Sequence, residues 1–254
     1  MKIFSCNAGY LLDYDGAYRG YMLSPHRGLV GSGRAEQRAI ERLVNVIADE
    51  APDVVGLIEV DQGSIRTRTD GQVTRLADEL ERRGLVYTPY AESKYGNGVL
   101  DAVPILRYLS NGVLVAGDHE TTVHYLDTGP KRLVIEVSLP ELDVFNTHLA
   151  MSGRARRRQL RELADLVGER ERAILSGDFN AYNGFDEIRD AFEGTEMELH
   201  DPGATVPPRP LDSVVLDTRS LDFFLSSPEI RVTRCETLDV QVSDHRPVVL
   251  ECEP

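Results

Sequence analysis

Two short stretches hold most of the reactive chemistry this chain can offer. In Gly177-Asp178-Phe179-Asn180 an acid and an amide stand two positions apart. In extended backbone such residues face the same way and can address one ligand. In Ser243-Asp244-His245-Arg246-Pro247 a carboxylate adjoins an imidazole, a pairing that suits metal binding together with proton transfer. Each stretch also has a bland reading. The first fits an Asx turn closing a strand, and the second a surface histidine satisfied by the neighbouring acid. Further polar residues stand at the ends of apolar runs. Asn7 follows Lys2-Ile3-Phe4-Ser5-Cys6, Glu59 closes Val54-Val55-Gly56-Leu57-Ile58, and His148 closes Val144-Phe145-Asn146-Thr147. Rigid scaffolds commonly present binding and catalytic groups at such ends. Taken singly, Asn7 reads equally well as a turn former and Glu59 as a solvated strand terminus.

The elements that would position these residues follow from periodicity. Lys2 to Asn7 reads as a strand. Arg34 to Glu50 carries Ile40, Leu43, Val44 and Ile47 at amphipathic-helix spacing and stops before Pro52. Asp53 to Val60 is a continuous apolar run, as expected of a fully buried strand that delivers its acid to a sheet rim. Gln72 to Arg83 repeats the helical spacing through Val73, Leu76, Ala77 and Leu80. Short strands are expected at Leu85 to Tyr90, Gly98 to Asp101, Ile105 to Val115, Thr121 to Leu126, Arg132 to Leu139 and Leu142 to His148. Their close spacing favours hairpins over a parallel doubly wound sheet. A helix over Arg154 to Glu169, then strands at Ala173 to Ser176, Leu221 to Leu225 and Pro247 to Glu251, complete the reading. No repeat of fixed period and no linker divides the chain, so residues 1–254 read as one domain. The architecture expected is α/β, two sheets face to face with helices outside.

Jointly and in order, these motifs resemble the endonuclease/exonuclease/phosphatase superfamily, whose members include DNase I-like nucleases, repair exonucleases, neutral sphingomyelinases and inositol polyphosphate 5-phosphatases. The resemblance rests on Asn7 after the first strand, Gly56-Leu57-Ile58-Glu59-Val60, Tyr95-Gly96-Asn97-Gly98-Val99-Leu100 and Asn146-Thr147-His148-Leu149. It continues through Gly177-Asp178-Phe179-Asn180, Leu221-Asp222-Phe223-Phe224-Leu225-Ser226 and Ser243-Asp244-His245-Arg246-Pro247. Two departures bear on the branch rather than on a proposed catalytic position: Ile58 stands where many members have Gln, and Asp101-Ala102-Val103-Pro104 replaces a common Leu-Ser-Arg-x-Pro segment. His148 in its Thr-His-Leu setting is unlike the repair-endonuclease branch, which argues by analogy for the DNase I, sphingomyelinase and phosphatase side.

The resemblance implies a DNase I-like, four-layered α/β/β/α sandwich that hydrolyses phosphate esters with Mg²⁺ or Mn²⁺. In that scheme Glu59 is the principal metal ligand, with Asn7 and Asp244 near the ion or ions. Asp178 positions or deprotonates the attacking water, and Asn180 holds the phosphate or a second metal. His148 stabilises the phosphoryl transition state or assists the leaving group. His245, oriented by Asp222, is a general base or a transition-state cation. Elementary chemistry agrees, because Glu59, Asp178, Asp222 and Asp244 converging on one site would repel a phosphate unless a cation screened them. Oxygen-rich ligands favour a hard ion over zinc.

Composition sets the remaining bounds. A formal net charge of −14 is unfavourable for sequence-independent nucleic-acid binding. It leaves nucleic acid, a nucleotide, a phosphorylated small molecule or a lipid headgroup as substrate classes, tilted away from duplex DNA. Of the 28 basic residues only Lys2, Lys94 and Lys131 are lysine. Cys6, Cys235 and Cys252 lack paired-ligand spacing and read as buried reduced thiols. No apolar run reaches the ~20 residues of a membrane helix, and Asp13 and Asp15 interrupt any signal-peptide core. A cytoplasmic enzyme without an obligate protein partner is the expectation. A catalytically silent scaffolding module on the same fold is the alternative, and the intact acids and both histidines argue against it. Arg154, Arg156, Arg157, Arg158 and Arg161 read as a solvated helix face, with anion steering as the functional alternative. Tyr10, Tyr14, Tyr18 and Tyr21 read as packing of an insertion, with stacking on a base or sugar as the alternative.

Overall fold

The computed structural model describes residues 1–12, 33–64, 71–95, 106–129, 133–206 and 219–254. The expected strand at Gly98 to Asp101, the Asp101 to Pro104 departure, and Tyr14, Tyr18 and Tyr21 lie outside them. Among the described residues the chain runs β1 (Lys2–Asn7), α1 (Gly33–Glu50), β2 (Val54–Asp61), α2 (Gln72–Glu81), β3 (Tyr87–Ser93), β4 (Leu109–Ala116), β5 (Glu120–Tyr125) and β6 (Leu133–Ser138). It continues with β7 (Asp143–His148), α3 (Gly153–Gly168), β8 (Ala173–Asp178), α4 (Asp186–Phe192), β9 (Glu198–His200), β10 (Asp222–Ser226), β11 (Arg231–Thr237) and β12 (Val248–Glu253).

Two six-stranded sheets result, ordered β11-β12-β1-β2-β4-β3 and β5-β6-β7-β8-β10-β9. Parallel pairs, β1 with β2 and β7 with β8, occupy the centre of each sheet, and the other pairings are antiparallel. The halves share one topology. The path β1-α1-β2-α2-β3-β4 is repeated by β7-α3-β8-α4-β9-β10, and each half sends its closing hairpin to the other half's sheet. Asn7 and His148 therefore end equivalent strands, as do Glu59 and Asp178 near the ends of β2 and β8.

Alternation sorts the side chains into layers. Phe4, Cys6, Val55 and Leu57 pack outward on Ile40, Leu43 and Ile47 of α1 and Leu76 and Leu80 of α2. On the other side Phe145, Leu175, Phe223 and Leu225 pack on Leu160, Leu163 and Val167 of α3 and Ile188 and Phe192 of α4. Ile3, Val54, Val113, Val144, Ile174 and Phe224 fill the space between the sheets. The expected α/β/β/α sandwich is what forms. Along the inter-sheet face the character changes in steps. Ile3 and Val54 are paired at the base, then Ser5 and Gly56; on the facing sheet Val144 pairs with Ile174, Asn146 with Ser176, and His148 with Asp178. An apolar layer thus gives way to a polar one and then to the candidate site at the rim.

Candidate active site

Each site residue reaches the rim by a local device. Gly177, at φ 144°, precedes Asp178, and a Cβ there would lie 1.9 Å from the Thr147 carbonyl oxygen. Only glycine lets β7 and β8 approach so closely at the position that introduces the acid. In β2, Leu57 pairs with Gly112 and Val60 with Ser110, so Ile58 and Glu59 together oppose Asn111. This bulge inserts one residue, and the outward face passes from Leu57 to Val60 instead of to Glu59. Glu59 is released at φ 55°, its N–H donating to the Asn111 side-chain oxygen at 3.3 Å. Asn180 also has positive φ, 51°, which asparagine tolerates better than most residues. Its N–H donates to Asp178 Oδ1 at 2.9 Å and its Nδ2 to the Leu149 carbonyl at 2.9 Å.

These devices bring Asn7, Glu59, His148, Asp178, Asn180, Asp222 and His245 together, while Asp244 is linked to them only through its chain neighbour His245. Asn7 Nδ2 donates to Asp178 Oδ2 at 2.9 Å, and His148 Nε2 lies 3.4 Å from the same oxygen. His148 Nδ1 lies 3.9 Å from Glu59 Oε1. Asp178 and Asp222 are direct partners across β8 and β10, and His245 Nδ1 meets Asp222 Oδ2 at 2.6 Å. Burial of the His245 ring works against its charged form. The negative charges of Asp222 and Asp178, with the Asp222 hydrogen bond, outweigh it and push the imidazole pKa up to about 10. Asp244 adds a smaller effect of the same sign and is partly exposed, as is Glu59. Asp178, Asp222, His148, Asn7 and Asn180 are buried.

Several participants were not singled out from sequence. Lys94 is 3% exposed, bonds to the Tyr10 hydroxyl, and places its ammonium 3.7 Å from Glu59 and 5.0 and 5.5 Å from the Tyr10 and Tyr95 ring centres. Its signal was available, a rare lysine beside the Tyr95-Gly96-Asn97-Gly98 motif. Ser243 donates to the Asn7 carbonyl and accepts the His245 N–H at 3.0 Å, tying the histidine loop to β1. Asn111, the bulge partner, carried no signal, because nothing in Leu57-Ile58 marks a slip. In the arginine cluster, Arg154, Arg157, Arg158 and Arg161 are exposed. Arg156 departs from the expected solvated face: at 1% exposure it pairs with Glu187 at 2.7 Å and donates to the Met151 carbonyl, pinning the loop after His148.

The donor set bears on a metal. Among the described residues, ligand-type atoms of Asp178, Asp222 and His245 lie within 4.8 Å of one another. Two of those side chains, however, are already bonded to each other. The oxygen donors Asn7, Glu59 and Asp244 have the hard character that a divalent cation with several waters takes. With Asp178 beside Asn7, the carboxylate-rich rim has the donor chemistry that a hard divalent cation takes.

The sequence profile of the Endonuclease/Exonuclease/phosphatase family matches residues 27–245, and the chain belongs to this family of phosphoesterases, which is generally dependent on divalent metals. No curated protein sequence matches the chain. Among solved structures it is similar to an endonuclease/exonuclease/phosphatase from Beutenbergia cavernae DSM 12333, 22% identical over 100% of this chain and 71% of that one, with a TM-score of 0.68. The mannosyl-6-phosphatase Bt3783 of Bacteroides thetaiotaomicron VPI-5482 is 16% identical over 100% of both chains, with a TM-score of 0.64. D. rerio TDP2 complexed with single strand DNA product is 14% identical over 100% of this chain and 99% of that one, with a TM-score of 0.62.

Proposed function

We propose that the chain is a Mg²⁺- or Mn²⁺-dependent hydrolase that cleaves a phosphate mono- or diester by in-line attack of water, acting in the cytoplasm as a single domain spanning residues 1–254. The observation that carries this reading is the continuity of the rim. Glu59, His148, Asp178 and Asn7 form one chain of contacts, and Asp178 lies directly across the sheet from the Asp222–His245 pair.

Asn7, Glu59 and Asp244 are assigned to the ion. When bound, it would screen the acids, polarise a phosphoryl oxygen and lower the pKa of a water. Asp178 is held by Asn7 and by the Asn180 N–H, and as an oriented carboxylate it aligns the attacking water or takes its proton. Asn180 stands beside it to hold the phosphate. His148, between two carboxylates, stabilises charge on the phosphoryl group or serves the leaving group. His245, protonated against Asp222, offers its other nitrogen as a donor or cation to the same oxygens.

The net charge of −14 supports a substrate smaller or less regular than duplex DNA. The similar structures include a mannosyl-6-phosphatase and a protein complexed with a single-stranded DNA product, so both a sugar phosphate and a single strand belong in the test. The experiment is a panel with Mg²⁺ or Mn²⁺, comparing single-stranded, duplex and abasic DNA, RNA, sugar phosphates, phosphatidylinositol phosphates, sphingomyelin and bis-p-nitrophenyl phosphate. Turnover of at least one phosphoester is expected. Inertness toward all of them, with the metal bound, would favour a silent scaffolding module.

A further inference from the structure

We propose that Thr205 is the positioning residue that sets the Asp222–His245 pair. The two partners belong to different sheets. Asp222 heads β10 in one sheet, and His245 lies in the loop leading into β12 of the other. A 2.6 Å bond between them depends on the relative placement of two bodies that share no backbone ladder. Beyond its bond to His245, the Asp222 side chain makes no hydrogen bond from its second oxygen, Oδ1, to the described residues. The Asp222 backbone is anchored instead.

Thr205 provides the anchor. It is 0% exposed, and its hydroxyl accepts the Leu221 N–H at 3.1 Å and the Asp222 N–H at 3.4 Å while donating to the Arg219 carbonyl at 3.3 Å. One O–H and two lone pairs are all that a threonine hydroxyl has, and all are used. The Thr205 carbonyl meanwhile accepts the N–H of Arg246, next to His245, at 2.8 Å. One residue thus holds the acid's strand with its side chain and the histidine's loop with its backbone. The surrounding segment reinforces this brace. Ser220 Oγ donates to Asp201 at 2.6 Å, and the Thr237 N–H at the end of β11 donates to the Pro202 carbonyl at 3.0 Å.

The catalytic consequence rests on the phosphoesterase reading, so the test has an arm that does not. Thr205→Val keeps the shape and removes the hydroxyl, leaving two buried N–H groups without an acceptor. Thr205→Ser keeps the oxygen. With bis-p-nitrophenyl phosphate and Mn²⁺, Thr205→Val should lower kcat about tenfold or more, while Thr205→Ser stays within about threefold of wild type. KM and calorimetric Mn²⁺ affinity should be unchanged in both. In an Asp222→Asn background, Thr205→Val should add less than about a twofold loss, because both act through one pair. Independently of turnover, the deshielded proton NMR resonance of the His245 Nδ1–H should vanish or broaden in Thr205→Val and persist in Thr205→Ser. Thr205→Ala, which leaves room for a water, replaces the valine variant if that protein does not fold. A wild-type resonance and kcat without the hydroxyl, a serine variant as impaired as valine, or losses that multiply with Asp222→Asn would each overturn the assignment. If the native enzyme turns over none of the phosphoesters, the resonance alone decides.

Discussion

Asp222 and His245 illustrate how burial and charge compete at a single bond. Removing the ring from water disfavours its cation, yet two nearby carboxylates and a 2.6 Å hydrogen bond hold it protonated well above the usual histidine range. If the pair works as a unit, removing either member should remove the same function. For Asp222→Asn we expect kcat to fall about 10²-fold with metal affinity retained. His245→Ala should be at least as damaging, and the double variant little worse than the poorer single one. Steady-state kinetics on the three proteins check this, and independent multiplication of the losses would reduce Asp222 to a structural strand acid. The sequence announced both residues by their motifs, and it announced Asp178 and Asn180 by their spacing. It could not announce Thr205. A threonine in a loop has many ordinary uses, and only its contacts distinguish it.

At the level of elements, the long amphipathic and apolar runs were legible. Arg34 to Glu50 and Leu142 to His148 form within a residue or so of where periodicity placed them. A single strand over Ile105 to Val115 is expected, but among the described residues Leu106–Tyr108 form a 3-10 turn and the strand begins at Leu109. The short helix α4, the three-residue β9 and the edge strand β11 went unread. Seven residues or fewer give little period, and Arg231-Val232-Thr233-Arg234-Cys235-Glu236 carries the charges typical of an exposed edge. Glu59 shows the same limit from another side, since a bulge is a property of two strands and is invisible in one. Arg156 joins two helices and the loop after His148 by a buried ion pair with Glu187, which is 9% exposed. Breaking a buried pair leaves an uncompensated charge, whereas replacing both partners with apolar groups often does not. We expect Glu187→Ala to cost about 3 kcal/mol or more, and the Arg156→Met/Glu187→Leu double variant clearly less. Denaturant midpoints test the order, and a double variant at least as unstable as the single one would contradict it.

Across the whole molecule, the topological repeat puts corresponding strand ends from both halves at one rim, and the exchanged hairpins make each sheet depend on both halves. No sequence period reports this, because the halves share a path and not a pattern of residues. Away from the rim, Lys2 of β1, Glu50 of α1, Arg234 of β11 and Glu251 of β12 form a charge network at 2.8 to 3.1 Å. Hydrogen bonds from Arg234, followed by that from Lys2, hold the Glu50 and Glu251 carboxyls below their usual range. Carboxylates with depressed folded-state pKa values contribute stability that is present above the unfolded pKa and lost as pH falls through the folded one. Arg234→Gln should therefore lower the melting temperature near neutrality and flatten its decline on the acid side. Parallel curves for the two proteins down through the carboxylate range would show that the network contributes nothing.

The central claim is that the acidic rim works on phosphate esters only with a divalent cation. It is tested most directly by stripping the protein with EDTA and following bis-p-nitrophenyl phosphate hydrolysis as Mg²⁺ or Mn²⁺ is returned, with Glu59→Gln measured alongside. The account predicts no turnover in the stripped enzyme and recovery with added metal. It also predicts a large rise in the metal concentration that Glu59→Gln requires, because the change keeps side-chain shape and removes the anionic ligand. Full turnover by the metal-free enzyme, or an unchanged metal requirement in Glu59→Gln, would contradict it.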